Sequence, residues 1–533
     1  MILFRLGLTA PGRLTNLGRS HCLAAPAPST HEEFAIRASR HGSLRYRGAY
    51  AAPEQPIRPL CRTPTTSRAA LAAPLPRHEA DDGLLERVVA APKESRTGAG
   101  DGTTRNPRIN SRARVPAAAG NGPDARYEFR AAAEWAEFGA VIDLAYGGHP
   151  HSPAHSAVVG ALFEPKRSLV ACYGGRPCAT FAGYALEMTL PGGPVPVAGI
   201  GYVAVAPPHR RRGLMRELLR RALTALHEER GEPVAVLHST EPGIYGRFGF
   251  GLASQAVELS VPPEARAFTH EPDGDGLTPE VLSPEDASAA VAAVYDACLP
   301  ERPGMLRRDA AWQRRAVEDE PASRHGAGRL LCLVASGPGG EPRGYALYRM
   351  RPAWQRSRPR YELTVRELFA RDAAAYAFVW RALLDTDLTG TVRAQTRPVD
   401  DPLLALLDDP RSAAPTLRDQ LYARAVDLDR ALTARTYSAP VDVVLEVSDA
   451  MCPWNAGRWQ LTADADGFAE CTRTGAAADL ALTAREVGAV LLGGGSLVQL
   501  AQAGRVTELR PGALRAASAA FRHDPAPFCP MAF

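Results

Sequence analysis

A strand, an arginine-rich turn and a helix follow one another between residues 200 and 226, and this segment constrains the fold most. Ile200 to Ala206 is rich in β-forming residues. Pro207 and Pro208 must leave the sheet, because proline has no amide proton to donate. Beyond the turn, apolar residues recur every four positions and predict an amphipathic helix (Leu214, Leu218, Ala222 and Leu226). The segment therefore predicts a strand that enters a helix through a tight turn.

The turn itself, His209-Arg210-Arg211-Arg212-Gly213, has the composition of an anion site. The first amide groups of a helix are unpaired and carry a partial positive charge. A pyrophosphate is the natural occupant of such a helix end. Gly213 allows the backbone to approach the phosphates closely, and the arginines add charge. The alternative is a solvated basic run that happens to precede a helix, and the position between a strand and an amphipathic helix favours the anion site.

A second motif follows the helix. The apolar strand Val234–Ser239 leads into Thr240-Glu241-Pro242-Gly243 and then into Ile-Tyr-Gly-Arg-Phe-Gly-Phe-Gly, residues 244–251. With the His-Arg-Arg-Arg-Gly turn, this run resembles the enhanced intracellular survival (Eis-like) family of GNAT-superfamily N-acetyltransferases. The GNAT loop reads Arg or Gln, two residues, Gly, one residue, then Gly or Ala. Here Met215 departs from the last position of that pattern.

The resemblance implies a fold and a cosubstrate. The fold class is α/β (α+β), with tandem GNAT-like acetyltransferase domains followed by a sterol-carrier-like C-terminal domain. Acetyl-CoA is the implied cosubstrate, with no metal. Its pantetheine arm would be held through the backbone of Val203, Ala204 and Val205. Its pyrophosphate would be held by Arg211, Arg212, Gly213, Leu214, Met215 and Arg216, with a further contact at Thr240 and Glu241.

The same resemblance assigns Tyr245 as the general acid. Acetyl transfer from a thioester expels a thiolate, and a phenol with a pKa near 10 can protonate that thiolate as it leaves. The alternative is a core tyrosine whose hydroxyl is satisfied by the backbone.

The C-terminal tail, Asp524–Phe533, is apolar and proline-rich, whereas most tails are polar and frayed. Its composition predicts that it docks on the protein. The resemblance implies that the carboxylate of Phe533 serves as general base. A terminal carboxylate with an unperturbed pKa of about 3.3–3.7 is a weak base, so exclusion of solvent or a relay water must help it. An inert hydrophobic tail is the alternative.

The chain divides into four predicted segments. Residues 1–123 are rich in Pro, Arg, Ser, Gly and Ala and are expected to be a disordered or mis-annotated N-terminal extension, with a transit peptide as the alternative. Residues 124–265 form the catalytic unit, with a helix over 131–145 and a hairpin of strands 168–173 and 178–188. Residues 266–419 form a second, degenerate unit in which Gly344-Tyr345-Ala346-Leu347 repeats the string at 183–186. Residues 420–533 form the sterol-carrier-like unit.

The second unit lacks a phosphate-binding loop. A predicted strand, Tyr361–Leu368, leads into a predicted helix, Ala373–Leu384, through Phe369-Ala370-Arg371-Asp372, which contains no glycine and no arginine cluster. We therefore expect this unit to be noncatalytic and to shape the acceptor pocket.

Composition excludes several classes of protein. Basic residues exceed acidic ones by 62 − 58 = 4, which argues against a protein that coats nucleic acid. Only Lys93 and Lys166 are lysines, so the arginine excess reflects codon bias outside the turn. Nine cysteines without a Cys-x-x-Cys pair favour a reducing cytoplasm, and no apolar run approaches the roughly 18 residues that span a bilayer.

His149, His151 and His155 lack the accompanying ligands of a metal site, so we expect acceptor contacts or loop polarity there.

The predicted function is acetyl-CoA-dependent N-acetylation of polyamine-type acceptors, such as aminoglycosides or lysine side chains, by direct attack of the amine. A peptide or small-polyamine acetyltransferase is the second choice. The alternative from another class is a noncatalytic lipid carrier or interaction protein that retains the scaffold. We expect a small-molecule amine acceptor or protein lysines as partners, with neither nucleic acid nor membrane. The resemblance implies a homo-oligomer, namely a hexamer.

Overall fold

The computed structural model describes residues 126–147, 152–270, 274 and 276–533. The extension predicted over residues 1–123, and the residues His149 and His151, lie outside this described part of the chain. The first unit contains β1 (Tyr127–Ala131), α1 (Trp135–Tyr146), α2 (Pro153–Leu162), β2 (Leu169–Tyr173), β3 (Arg176–Leu190), β4 (Gly193–Val205), α3 (Leu214–Ala225), β5 (Val234–His238) and β6 (Gly251–Val261).

The second unit repeats this succession of strands and helices. It contains β7 (Thr278–Leu282), α4 (Ser288–Cys298), α5 (Ala310–Val317), β8 (Leu331–Ser336), β9 (Pro342–Arg351), a small hairpin of β10 (Trp354–Gln355) and β11 (Arg358–Pro359), β12 (Tyr361–Ala370), α6 (Ala373–Leu384), β13 (Thr389–Pro398), α7 (Leu403–Leu406) and β14 (Thr416–Ala425). In both units a strand, a helix and a parallel strand follow one another, as β4–α3–β5 and as β12–α6–β13.

The third unit is smaller. It contains α8 (Leu428–Thr433), β15 (Val441–Ser448), β16 (Gly457–Ala463), β17 (Ala469–Arg473), β18 (Leu480–Thr483), α9 (Ala484–Val490), α10 (Leu497–Gln502), β19 (Thr507–Glu508) and α11 (Ala513–Phe521). Its sheet has the order β17-β16-β15-β18-β19. From Arg522 to Phe533 the chain has neither helix nor strand.

The first two units share one twelve-stranded sheet, in the order β1-β2-β3-β4-β5-β14-β6-β13-β12-β9-β8-β7. Strand β14 ends the second unit, yet it lies between β5 and β6 of the first and is antiparallel to both. Strand β6 in turn pairs with β13 of the second unit. The two units therefore exchange their last strands, and the sheet cannot be divided between them without breaking these pairings.

Several elements lie where the sequence predicts them. The hairpin of β2 and β3 is confirmed, and so is the helix α6, Ala373–Leu384. The helix predicted from Ala131 begins only at Trp135, because residues up to Ala131 belong to β1 and pair with β2. The described cysteines are buried and free, and among the described helices none is long and apolar enough to span a bilayer.

Candidate active site

The first unit opens where β4 and β5 separate. The two strands are paired in parallel over Val197–Ile200 and Val234–Leu237. Strand β4 then runs on to Val205, while β5 ends at His238. A bulge in the pairing of β3 with β4 begins at Gly201, and Tyr202 there has a φ of 48° with its carbonyl accepting from Thr180 Oγ1 at 2.8 Å. Val203, Ala204 and Val205 therefore lie on the part of β4 that diverges from β5.

The arginine turn connects this part of β4 to α3. Arg210 anchors the turn, since its guanidinium donates to the carbonyl of Val205 at 3.2 Å and to the carbonyl of Ala145, near the end of α1, at 2.7 Å. Arg211 has a left-handed φ of 62° and Gly213 one of 80°. A left-handed arginine is strained by about 1–3 kcal/mol, and such strain is concentrated at functional sites.

The residues predicted to hold the pyrophosphate differ in exposure. Arg211, Arg212 and Arg216 are exposed, whereas the side chain of Leu214 is buried in the core, so only its backbone amide can serve an anion. Gly213 is the N-cap of α3 and has no side chain that could cap the first amides. The acid in the first turn, Glu217, is bound by both Arg220 and Arg221 at 2.7 Å, which offsets its repulsion of an anion.

In the second unit, a side chain caps the N-terminus of α6, the helix that corresponds to α3. Asp372 is the N-cap of α6 and accepts from the amide of Ala375 at 2.9 Å, while Arg343 donates to the same carboxyl group at 2.6 Å. Burial raises the pKa of Asp372, but the amide of Ala375 and Arg343 together bring it below its usual value. A carboxylate of the protein thus caps the helix end whose counterpart in the first unit, at Gly213, has no side-chain cap.

Tyr245 begins a short 3-10 helix, Tyr245–Phe248, shortly after β5. The guanidinium of Arg216 lies 6.0 Å from the ring centre of Phe248, so this helix adjoins the start of α3. Thr240 and Glu241 are exposed in the turn between β5 and the 3-10 helix. Tyr245 is 8% exposed, and burial raises its pKa above the usual value of 10, with smaller effects of Tyr146 and Glu241 in the same direction.

The C-terminal tail docks as its composition predicts. It contacts the second unit, where the amide of Phe528 donates to the carbonyl of Pro303 at 2.8 Å. It contacts the third unit at Gly494, where an added Cβ would lie 2.7 Å from Pro527. It ends against the first unit, where the ring of Phe533 lies 5.1 Å from that of His238.

Two glycines of β4 make room for the last residue. A Cβ on Gly199 would lie 3.2 Å from the Phe533 ring, and one on Gly201 would lie 3.1 Å from the terminal carboxyl carbon. Tyr245 packs in the cluster that contains Ile200 and Leu237, whereas Phe533 packs against the cluster that contains Val197 and Val236. Because alternate residues of a strand point to opposite faces, Tyr245 and Phe533 approach the opening between β4 and β5 from opposite faces.

The wall beside Phe533 is aromatic and includes the second unit. Tyr184 lies 3.2 Å from the position of a Cβ on Gly201, and its ring is 5.5 Å from that of Trp312 on α5. Trp135 packs edge-on against Tyr202 at 4.9 Å. Trp312 of α5 thus packs behind Tyr184, on the side of the opening on which the tail ends.

His155 belongs to a polar cluster between the first two units. Among the described residues, the donor atoms of His155, Glu318 and Glu320 lie within 4.8 Å of one another, a spacing that suits a cation. However, Glu318 is already bound by His155 at 3.0 Å and by Arg315 at 2.9 Å. We therefore interpret the cluster as an ion-pair network that ties α2 to α5.

Two further residues, His238 and Arg424, support the site and carried no signal in the sequence. His238 directs its two ring nitrogens at the carbonyls of Gln420 and Met531, at 3.1 and 3.0 Å. Burial lowers the pKa of His238 to about 4, so near pH 7 the ring is neutral and donates to only one of these two carbonyls. Arg424, which is fully buried, donates to the carbonyl of Phe248 at the end of the Tyr245 helix and to Asp449. Each of these contacts joins residues far apart in the chain, and no local pattern reports such contacts.

Comparisons with known proteins agree with this architecture. Family models described as an acetyltransferase (GNAT) domain match residues 127–253 and 304–425, and a sterol carrier protein domain model matches residues 428–530. An uncharacterized N-acetyltransferase of Streptomyces avermitilis is 44% identical over 391 residues, which cover 73% of this chain and 95% of that protein. N-acetyltransferase Eis of Mycobacterium tuberculosis is 37% identical over 360 residues, which cover 64% of this chain and 81% of that protein. The crystal structure of Eis1 from Mycobacterium abscessus is similar with a TM-score of 0.65 at 31% identity, covering 76% of this chain and 100% of that one. The predicted fold class is confirmed.

Gly213→Ala should weaken the binding of coenzyme A about tenfold. A left-handed non-glycine residue costs about 1–2 kcal/mol of strain. The turn can avoid that strain only if its backbone moves away from the phosphates. Isothermal titration measures the Kd, and one coenzyme A per chain is expected because Asp372 fills the second helix end. Gly504→Ala is the matched control, since Gly504 has a φ of 71° in open space on the third unit. An equal loss of affinity in both variants would contradict the assignment of the turn.

Proposed function

The chain belongs to the Eis-like family of GNAT N-acetyltransferases, and on that premise we propose how it moves an acetyl group from acetyl-CoA to an amine. The observation that supports the mechanism is the placement of Tyr245 and Phe533 on opposite faces of the opening between β4 and β5. An acid and a base so placed can serve the two ends of one reaction, the leaving sulfur and the incoming nitrogen.

The proposed reaction is a direct transfer. The amine nitrogen attacks the thioester carbonyl carbon, and the carbon–sulfur bond breaks as the new carbon–nitrogen bond is completed. The proton of the amine passes to the carboxylate of Phe533, directly or through a water. The hydroxyl of Tyr245 protonates the departing thiolate, which leaves as coenzyme A, and the tyrosine regains its proton from solvent. No covalent intermediate with the protein is required.

The environment of Tyr245 suits an acid. Because burial raises the pKa of its phenol, the hydroxyl keeps its proton throughout the pH range of an ordinary assay. The environment of Phe533 supports its docking, since its half-buried side chain packs against apolar residues beside the opening.

The cosubstrate is acetyl-CoA, as GNAT domains require. We assign its pantetheine arm to the diverging end of β4, where Val203 to Val205 offer backbone groups, as in an added strand. We assign its pyrophosphate to the start of α3, with Arg211, Arg212 and Arg216 exposed around it. Thr240 and Glu241 lie in the neighbouring turn and complete the proposed set.

For the acceptor we propose polyamine-type molecules, such as aminoglycosides, and lysine side chains. Support comes from the half-buried rings of Trp135 and Tyr202 beside the opening, because aromatic faces attract cations. We also propose a cytoplasmic homo-oligomer, a hexamer by resemblance. Trp354 and Leu388, exposed by 66% and 53% on either side of Tyr361, offer an apolar surface for contact between copies.

Tyr245→Phe should lower kcat about 100-fold, within the usual range for loss of a general acid, and leave the Kd of coenzyme A unchanged. Thiol release measured by a chromogenic disulfide reports kcat. Tyr361→Phe, in the second unit, is the control and should behave as the parent protein. Because the phenol of Tyr245 stays protonated as the pH rises, its ionisation should cause no loss of rate up to about pH 10. Undiminished turnover in Tyr245→Phe would exclude it as the acid.

Three residues, Gly-Ser-Gly, appended after Phe533 should reduce kcat at least about 100-fold, because the carboxylate is then an amide that cannot accept a proton. Coenzyme A binding should persist. Phe533→Leu is the control, since it keeps both the carboxylate and an apolar side chain, and it should retain most of the activity. A fully active extended protein would refute the role of the terminal carboxylate.

A panel of acceptors tests the proposed substrate class. With acetyl-CoA present, an aminoglycoside, a short polyamine and a lysine-containing peptide should each be compared with an acceptor that has only hydroxyl groups. We expect thiol release with the amines alone, and mass spectrometry should show a gain of one acetyl group on the product. Binding of coenzyme A without transfer to any amine would instead favour the noncatalytic lipid carrier or interaction protein.

A further inference from the structure

The tail that carries Phe533 is held by a glutamine in an irregular part of β14. Strand β14 pairs with β6 at Asp419 and again at Leu421, so Gln420 is the additional residue of a β-bulge. A bulge turns one residue out of the ladder and redirects its side chain and backbone. Both the backbone and the side chain of Gln420 make contacts there, because its carbonyl oxygen lies 3.1 Å from Nδ1 of His238 and its side chain reaches the tail.

The side chain of Gln420 makes two hydrogen bonds to one residue of the tail. Its Nε2 donates to the carbonyl of Cys529 at 2.8 Å, and its Oε1 accepts from the amide of Cys529 at 3.0 Å. These two backbone groups fix the orientation of the amide, because only the oxygen can accept and only the nitrogen can donate. Ser254 donates to the same Oε1 at 3.0 Å. A side-chain amide thus replaces the partner strand that the tail lacks.

The hydrogen bonds between Gln420 and Cys529 are buried. Gln420 is 7% exposed, Ser254 3% and Cys529 2%. A backbone amide and carbonyl buried in this way need partners, since a buried polar group left unsatisfied is costly. The hydrogen bonds of Gln420 are therefore needed for the tail to remain in place at Cys529.

The next contacts connect this point to the catalytic carboxylate. Between Cys529 and Phe533 lie Pro530, Met531 and Ala532, so the last four residues span at most about 14 Å. His238 contacts the carbonyl of Met531 within that span, and its other nitrogen contacts the carbonyl of Gln420. Upstream, Arg302 and Asp400 hold the carbonyl and the amide of Ala526 at 2.6 and 2.9 Å.

We propose that Gln420 is a positioning residue for acetyl transfer, which sets the place of the Phe533 carboxylate through its paired hydrogen bonds to Cys529. The inference rests on the proposed role of that carboxylate as general base. Gln420 does not touch the substrate, and its effect on the rate is exerted through the tail. A displacement of about 1 Å of a reacting group can lower a rate by a factor of up to about 100.

The test compares Gln420→Leu with the parent protein. We expect kcat to fall between 10- and 100-fold, with the Kd of coenzyme A unchanged, and Phe533 to be released faster by a carboxypeptidase. Gln355→Leu, an exposed position on the small hairpin, is the matched control and should change neither quantity. Combined with the Gly-Ser-Gly extension, Gln420→Leu should cause no further loss of kcat, since the extended protein has no Phe533 carboxylate left to displace.

A second variant covers the case in which Gln420→Leu fails to fold. In Gln420→Glu the ionised side chain still accepts from Cys529 but repels its carbonyl, whereas the protonated side chain donates to it. The activity of this variant relative to the parent should therefore recover as the pH falls from 8 to about 5.5, into the range in which a buried glutamate is protonated. A purely structural role would not produce such a pH-dependent ratio.

The outcomes separate the two proposals. If the extension abolishes activity while Gln420→Leu and Gln420→Glu match the parent in kcat and in carboxypeptidase release, the positioning role is refuted and the general base stands. If the extended protein is fully active, both proposals are refuted. Loss of kcat with faster release of Phe533, and with the recovery of Gln420→Glu at lower pH, supports the positioning role.

Discussion

The exchange of strands between the first two units is the constraint on which the rest of the structure depends. Strand β14 inserts between β5 and β6, and β6 in turn pairs with β13, so that backbone hydrogen bonds join residues almost 200 positions apart, such as His238 and Leu421. This pairing places the bulge of β14 directly beside the end of β5. The opening for the cosubstrate, the ring of His238 and the side chain of Gln420 consequently meet at one point of the sheet, although they come from different units.

The third unit is fastened to the same strands. The buried guanidinium of Arg424, on β14, joins Asp449 of the third unit to the end of the Tyr245 helix, and removal of one partner of such a buried pair costs about 3–5 kcal/mol. Helix α9 also packs directly on the sheet, since a Cβ on Gly251 would lie only 2.0 Å from the carbonyl of Arg485. The third unit therefore supports the helix of the proposed acid, Tyr245, through Arg424 and supplies the tail that carries the proposed base. The sterol-carrier-like domain of this chain thus has a structural role, which does not require it to bind a lipid.

The elements that the sequence predicts correctly are those whose structure is determined by residues close together in the chain. The run from β4 through the turn to α3 is local, and so are the hairpin of β2 and β3 and the helix α6, whose N-cap Asp372 precedes an alanine-rich stretch. Strand β14 is different, because its insertion between β5 and β6 is decided by pairings with distant strands that leave no periodic signal. The role of Gln420 is therefore invisible in the sequence, where it is one polar residue among others in the stretch that becomes β14. The docked tail was predicted from its prolines and apolar residues, but its contacts with Pro303, Gln420 and Gly494 required the structure.

The two units share one architecture but differ at the helix end that follows the corresponding strand. Its β12–α6–β13 succession matches β4–α3–β5, yet Asp372 and Arg343 fill the helix end that Gly213 leaves open. In the same unit, Glu367 forms a buried ion pair with Arg308 at 2.5 Å and accepts a hydrogen bond from Tyr345. The buried charges of Glu367 and Arg308 therefore compensate each other. Replacing Asp372 alone would leave Arg343 unpaired and the buried pair intact, which is too little to restore a cosubstrate site. Because its helix end is filled in this way, the second unit contributes packing instead: Trp312 supports Tyr184, which borders Gly201 in the first unit, where we propose that the chemistry takes place.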